Sequence, residues 1–87
     1  RAIGAVSLER DIGRTCDEFA RLAEAAAARG LLVATEVGAG VLRTLERCLA
    51  ALDAVAHPGL VLLIDTMHFF RSGATVEQLA AIDPARI

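Results

Sequence analysis

Two acidic residues occupy matching positions in this sequence, each at the end of a short apolar segment. Glu36 follows residues 31–35, and Asp65 follows residues 60–64. Functional groups of parallel α/β folds lie at the carboxyl ends of the strands, so two such carboxylates would meet at one edge of a sheet. Carboxylate oxygens suit a divalent cation, and the pair is therefore a candidate metal site. The alternative is that each acid caps the turn or helix that follows it.

Two further polar residues follow Asp65 closely. His68 is expected on a loop facing the same pocket, where an imidazole can bind a metal, or hydrogen-bond a substrate oxygen and carry a proton near neutral pH. Arg71 can bind a phosphate or carboxylate of a substrate through paired hydrogen bonds, or pair with an acid of its own loop. His57 precedes the second apolar segment, so we expect it at the opposite edge with a structural role.

Helices separate and follow the two apolar segments. Helical spacing of apolar residues predicts one helix over residues 11–29, where Thr15 and Glu18 have the spacing of a capping box. Gly30 is expected just past its end. A second helix is predicted over residues 41–55, and a third over residues 75–82, opened by the capping-box pair Thr75 and Gln78. Residues 66–74 are expected to form a loop, and residues 85–87 to begin a further strand. Residues 1–6 remain unassigned, although their apolar character allows an extended entry.

The predicted order is helix, strand, helix, strand, helix, which is typical of parallel α/β structure. The uninterrupted apolar character of residues 31–35 and 60–64 predicts strands buried on both faces. Two strands cannot bury their own faces, and the chain begins at Arg1 and ends shortly after Asp83 and Pro84. We therefore expect residues 1–87 to be an internal segment of a (β/α)8 TIM barrel, with three βα units or fewer, or part of an open doubly wound sheet.

Composition narrows the possible functions. Hydrophobic residues make up 55% of the chain and the mean hydropathy is +0.52, above the usual apolar share of about 45–50%, which favours packing against a larger core or a partner. All 9 basic residues are arginine and are scattered along a chain with 11 acidic residues, so nucleic-acid binding is not expected. No apolar run reaches the ~18–20 residues of a membrane span. Cys16 and Cys48 lie in separate predicted helices, where we expect buried free thiols, compatible with the cytoplasm.

The glycine pair after the first strand does not fit a dinucleotide-binding loop. Gly38 and Gly40 begin the pattern G-x-G-x-x-G, but its last position is Arg43, and Glu36 precedes the glycines instead of following them. We expect a turn that lets the backbone pass close to a pocket.

The segment Asp-Thr-Met-His-Phe-Phe-Arg-Ser-Gly at residues 65–73, followed by a short helix and Asp-Pro-Ala-Arg-Ile at residues 83–87, resembles a known family. It is similar to the D-x-x-H-x-x-R-S-G segment of sugar phosphate isomerases/epimerases, within the xylose isomerase-like TIM barrel superfamily. Residues 19–36 are similar to the helix and strand that lead to the family's metal-binding glutamate.

The resemblance implies roles for three residues. Glu36 would bind the metal and act as acid and base, Asp65 would be the second metal ligand, and His68 would face the substrate oxygens. It implies no definite role for Arg71, which stays a candidate for substrate binding. In the family, a further histidine and a last glutamate come from later strands, so this segment alone is expected to be inactive.

The resemblance further implies an isomerase or epimerase that uses a divalent metal (Mn, Mg, Co or Zn). We expect it in the cytoplasm, with which the free thiols are compatible. Its substrate would be a small molecule, namely a sugar, sugar phosphate or polyol, converted through an enediol(ate). One alternative is a lyase on the same barrel that acts on a cyclic hydroxy-ketone, like 3-dehydroshikimate dehydratase. A metal-dependent apurinic endonuclease is disfavoured because a basic surface is missing. Another alternative is a non-catalytic barrel remnant with an assembly role, and the apolar excess also allows a homo-oligomer.

Overall fold

The computed structural model describes residues 1–38 and 40–87, which form a small α/β domain with three parallel strands and four helices. The strands are β1 (Ala2–Ala5), β2 (Leu32–Glu36) and β3 (Leu60–Leu63), and they lie in the order β1-β2-β3. The helices are α1 (Ile12–Ala27), α2 (Leu45–Val55), α3 (Thr66–Arg71) and α4 (Val76–Ala80), followed by a 3₁₀ turn at Pro84–Arg86. The alternation of helices with parallel strands is confirmed. No helix of the described ranges is long and apolar enough to cross a membrane.

A strand precedes the first helix, so the predicted order that began with a helix is wrong at its start. The four residues of β1 pair in parallel with β2, with Ala2 opposite Leu32 and Ala5 opposite Thr35. Two alanines and a glycine make this segment a weak strand by propensity. The adjacent edge of β2 supplies the hydrogen-bonding partners that hold residues 2–5 as a strand.

Residues 66–74 do not form the predicted loop, because six of them form helix α3. The Asp65 side chain accepts hydrogen bonds from the backbone N–H groups of Met67 at 2.9 Å and His68 at 3.2 Å, which caps the helix. Phe69 is buried, with 1% of its surface exposed. A helix this short shows too few turns for its apolar spacing to be recognised in the sequence.

The end of the chain is also not the predicted strand. Residues 84–86 form a 3₁₀ turn, which the Asp83 carboxylate caps by accepting from the backbone N–H of Ala85 at 3.0 Å. The Arg86 guanidinium donates to the Asp53 carboxylate at 2.6 Å on α2. The Asp83 cap and the ion pair with α2 hold this segment in a turn.

The helix boundaries follow from their caps. Asp11 caps α1 by accepting from the backbone N–H of Arg14 at 3.0 Å. The capping-box spacing of Thr15 and Glu18 therefore does not mark the start of the helix, and Thr15 is buried inside it. At the other end Gly30 has a φ of +70°. Its N–H donates to the Ala27 carbonyl, and the next N–H donates to the Ala26 carbonyl. This is the predicted glycine-terminated helix end. The capping box of Thr75 and Gln78 is confirmed as well.

The two faces of the sheet differ in whether helices pack on them. Helices α1 and α2 contact each other and pack on the face that carries Val33, Leu60 and Leu62. The opposite face carries Leu32 and Leu63, which are 42% and 47% exposed. Ala34 and Val61 at the centre of this second face are nevertheless buried, at 8% exposed each. Within the described chain, the expected burial of both faces therefore holds fully on the helix side and only at the centre of the other face.

Both thiols are free, as predicted. Cys48 is buried and its thiol donates to the Leu42 carbonyl at 3.5 Å, and burial raises its pKa from 9.0 to about 11. Cys16 is half-buried and packs against the core. Its pKa is also raised, by burial first and then by the Asp17 carboxylate.

These pKa shifts predict an alkaline loss of stability. The chain contains no tyrosine and no lysine, so between pH 9 and 11 the cysteines are the side chains that ionise. The pKa of Cys48 is higher in the folded than in the unfolded chain, so its stabilising effect is complete below pH 9 and disappears as pH rises to about 11. We expect urea denaturation to show the free energy of unfolding falling across this window. Cys48→Ala should flatten the fall more than Cys16→Ala, and an equal slope in both variants would contradict this assignment.

Candidate metal centre

The two acidic residues lie on the same face of the sheet. Glu36 is the last residue of β2 and lies opposite Leu63 of β3. Asp65 follows two positions later in extended backbone, with φ −87° and ψ 119°. Because side chains of extended chain alternate between faces, Glu36, Leu63 and Asp65 all project away from α1 and α2. The expectation that both carboxylates meet at one edge is confirmed.

His68 joins the two acids in one cluster. One ligand atom from each of Glu36, Asp65 and His68 lies within 4.8 Å of the other two, and none of the three residues is fully buried. Ligand atoms about 2.0–2.2 Å from one cation are at most roughly 4.4 Å apart. Small side-chain adjustments would therefore let one ion contact all three groups.

The capping alternative holds for Asp65, whereas Glu36 does not cap the helix that follows it. The Asp65 cap uses Oδ1 for both of its hydrogen bonds, so the second oxygen is left for another ligand. Helix α2 after Glu36 is capped by Thr44 instead, which accepts from the backbone N–H of Arg47 at 3.3 Å. For Asp65 the two roles are compatible, because one carboxylate can cap a helix and face a cation.

Helix α3 positions His68, which lies in its first turn and not on the predicted loop. The backbone N–H of His68 is held by Asp65, and the neighbouring Phe69 is buried in the core. Capping and burial thus act on the same short helix that presents the imidazole. Two residues of the cluster are therefore placed by one local structure.

Gly38, in the turn after β2, lies close to His68. A Cβ atom at Gly38, where φ is +104°, would lie 3.4 Å from His68 Cβ and 3.6 Å from its Nδ1. At Gly40, where φ is +55°, a Cβ would meet the Ser7 carbonyl oxygen at 2.4 Å. Ala39, the middle residue of this predicted turn, lies outside the described residues. The absence of side chains lets Gly38 lie against α3 and Gly40 lie against the segment that follows β1.

A cleft of about 360 Å³ adjoins the cluster, and its lining residues are Gly38, Arg43, His68, Arg71 and Ser72. Arg71 and His68 therefore line the same cleft. Arg43 was missed as a site residue, because the sequence marked it only as the position that breaks a glycine pattern. No local spacing connects it to Arg71, so only the fold brings the two together.

His57 lies at the amino end of β3, away from the cluster, as expected. Its Nδ1 accepts from the backbone N–H of Gly59 at 2.9 Å, and its Nε2 lies 3.2 Å from Glu24 Oε2. An accepting Nδ1 requires the proton of the neutral ring on Nε2, which can donate to Glu24. The role of His57 is to join α1 to the turn before β3.

One edge of the sheet thus combines two carboxylates, an imidazole and, in the adjoining cleft, two guanidinium groups. Such a donor set can bind a cation and an anionic substrate group side by side. Comparisons of the chain with protein-family models, with curated proteins and with solved structures gave no match.

Proposed function

We propose that this chain belongs to a metal-dependent isomerase or epimerase with a (β/α)8 barrel, acting on a sugar, sugar phosphate or polyol. The observation that carries the proposal is the convergence of Glu36, Asp65 and His68 at the carboxyl edge of the sheet. A barrel keeps its helices outside and its active site at this edge. Support for a barrel comes from the consecutive strand order, and from α1 and α2 on one face with the acids on the other.

The three side chains fit a divalent cation. Carboxylates suit Mg and Mn, and an imidazole suits Zn, Co and Mn. Glu36, Asp65 and His68 would hold the ion, which leaves further positions for substrate oxygens. When bound, the cation would polarise a substrate carbonyl and lower the barrier to removal of the neighbouring C–H proton.

The chain's own residues would then move the proton and hold the substrate. The Glu36 carboxylate accepts the proton from the carbon beside the carbonyl, and the electron pair of that C–H bond moves onto the carbonyl oxygen, giving an enediol(ate). Return of the proton to the former carbonyl carbon, together with transfer of the hydroxyl proton from one enediol(ate) oxygen to the other, isomerises the substrate. Epimerisation returns a proton to the original carbon from the opposite face, which requires a second acid such as the last glutamate that the family supplies from a later strand. His68 donates a hydrogen bond to a substrate oxygen through the ring nitrogen that does not face the ion. Asp65 holds the first turn of α3 and thereby positions His68.

Asp65→Asn tests this proposal sharply, because asparagine caps helices as well as aspartate does but carries no charge. We expect purified full-length protein to bind one divalent metal per site. We expect Asp65→Asn to weaken metal affinity by more than the roughly 10- to 100-fold loss seen for outer-shell partners. The measurement is metal content together with Mn²⁺ titration by calorimetry.

Asp11→Asn is the matched control, since it makes the same replacement at the cap of α1, away from the cluster. It should keep full metal affinity. Protein that binds no metal, or Asp65→Asn that binds like the control, would reduce the acids to turn caps and favour a non-catalytic assembly role. A product assay with ketoses and 3-dehydroshikimate then separates an isomerase from a lyase.

A further inference from the structure

The cleft beside His68 carries positive charge from two separate elements. Arg43 lies just before α2 and Arg71 ends α3, and both line the same cavity of about 360 Å³. Among the residues that the structure describes, no acidic side chain lines this cavity. Two guanidinium-bearing side chains therefore line one space.

Both guanidinium groups are available to a ligand. Arg43 Nε donates to the Gly40 carbonyl at 3.3 Å, which orients the group and leaves its two terminal nitrogens. Within the described ranges neither Arg43 nor Arg71 forms an ion pair, whereas Arg14 and Arg86 pair with carboxylates.

Ser72 adds no donor to the cleft, although it lines the wall. Its hydroxyl donates to the Phe69 carbonyl at 2.6 Å. The hydrogen-bond donors facing the cavity are therefore chiefly those of Arg43, Arg71 and His68. This is a set of cationic and nitrogen donors, which suits an anion rich in acceptor oxygens.

We infer that Arg43 and Arg71 form a subsite for the phosphate of a phosphomonoester substrate. Two fixed positive charges match a phosphate dianion, whereas a carboxylate would neutralise only one of them. Arginine also binds phosphate oxygens through pairs of parallel hydrogen bonds. The cleft volume lies within the range of small-molecule sites, about 300–1,000 Å³.

His68 connects this subsite to the proposed metal centre, because it belongs both to the ligand cluster and to the cleft lining. A substrate with its phosphate between the arginines would place its other end near Glu36 and Asp65. The inference rests on the proposed function, because a phosphate subsite would make sugar phosphates the substrates in preference to neutral sugars and polyols. The phosphate subsite itself consists of residues outside the acid pair, so it can be tested separately.

The full-length protein is first freed of metal with a chelator. Inorganic phosphate is then titrated into it, and the heat of binding is measured by calorimetry. We expect saturable binding by the unaltered protein, and each of Arg43→Gln and Arg71→Gln should weaken it by about tenfold or more, the loss of a charged hydrogen-bond pair. Arg29→Gln is the matched control, because Arg29 lies in the turn after α1 at the opposite edge of the sheet. It should bind phosphate as the unaltered protein does.

Two results would overturn the inference. One is phosphate binding that Arg43→Gln and Arg71→Gln leave unchanged, or that Arg29→Gln weakens equally. The other is acetate binding as tight as phosphate. Asp65→Asn in the same metal-free titration should retain phosphate binding. A failure of the metal proposal would thus appear only in the Mn²⁺ titration, and a failure of the phosphate subsite only in this one.

Discussion

Glu36→Gln is expected to lower kcat by roughly 10²- to 10⁴-fold, the usual contribution of a positioned acid–base group. Glutamine keeps the volume of the side chain but removes its negative charge and its ability to accept the substrate proton. Within the described residues Glu36 forms no ion pair, so the replacement should leave the fold intact. The measurement is turnover of a panel of ketoses and ketose phosphates by the full-length protein with saturating Mn²⁺.

Saturating metal separates the loss of the base from the loss of a ligand. Glu77→Gln is the matched control, because Glu77 is exposed in the first turn of α4, away from the cluster. We expect its turnover to stay within about twofold of the unaltered protein, the effect of surface substitutions being small. A Glu36→Gln protein as active as this control would rule out Glu36 as the base.

Phe69→Ala is expected to lower the free energy of unfolding by about 3–5 kcal/mol, the usual loss for a buried phenylalanine. The ring is 1% exposed and belongs to the main core cluster. A loss of this size is a large share of the roughly 5–15 kcal/mol that stabilises a typical domain. Urea denaturation followed by circular dichroism would measure it. Because Phe69 anchors α3, metal affinity should fall together with stability.

The adjacent phenylalanine provides the control. Phe70 is 54% exposed, and its ring meets that of Phe69 edge to face at 5.5 Å. Phe70→Ala should therefore cost only about 0.5–1.5 kcal/mol, the strength of an aromatic pair. Equal losses in the two variants would show that α3 is not anchored through Phe69.

Much of the fold could be predicted because its signals are local. The apolar spacing of α1 and α2 spans several turns, and Gly30, Thr75 and Gln78 act through hydrogen bonds to their near neighbours. The two uninterrupted apolar segments correspond to β2 and β3. The acids at their ends could be assigned to one edge, since parallel strands bring equivalent ends together.

The remaining elements depend on contacts distant in sequence. The strand β1 has little propensity of its own and exists through its pairing with β2. Helix α3 is too short to show a periodic pattern, and it is stabilised by the Asp65 cap and by Phe69 in the core. A loop and a capped short helix look alike in sequence. The difference depends on whether an apolar side chain such as Phe69 can be buried in the core.

The sequence by itself determined the βα alternation and the positions of Glu36 and Asp65 at strand ends, because periodicity, caps and chain direction are local properties. Tertiary structure decided which acid also caps a helix, that His68 approaches both carboxylates, and that Arg43 lines one cleft with Arg71. These outcomes depend on strand register and on how α3 packs. Neither is encoded in the spacing of the residues concerned, since each is set by the summed contacts of the whole domain.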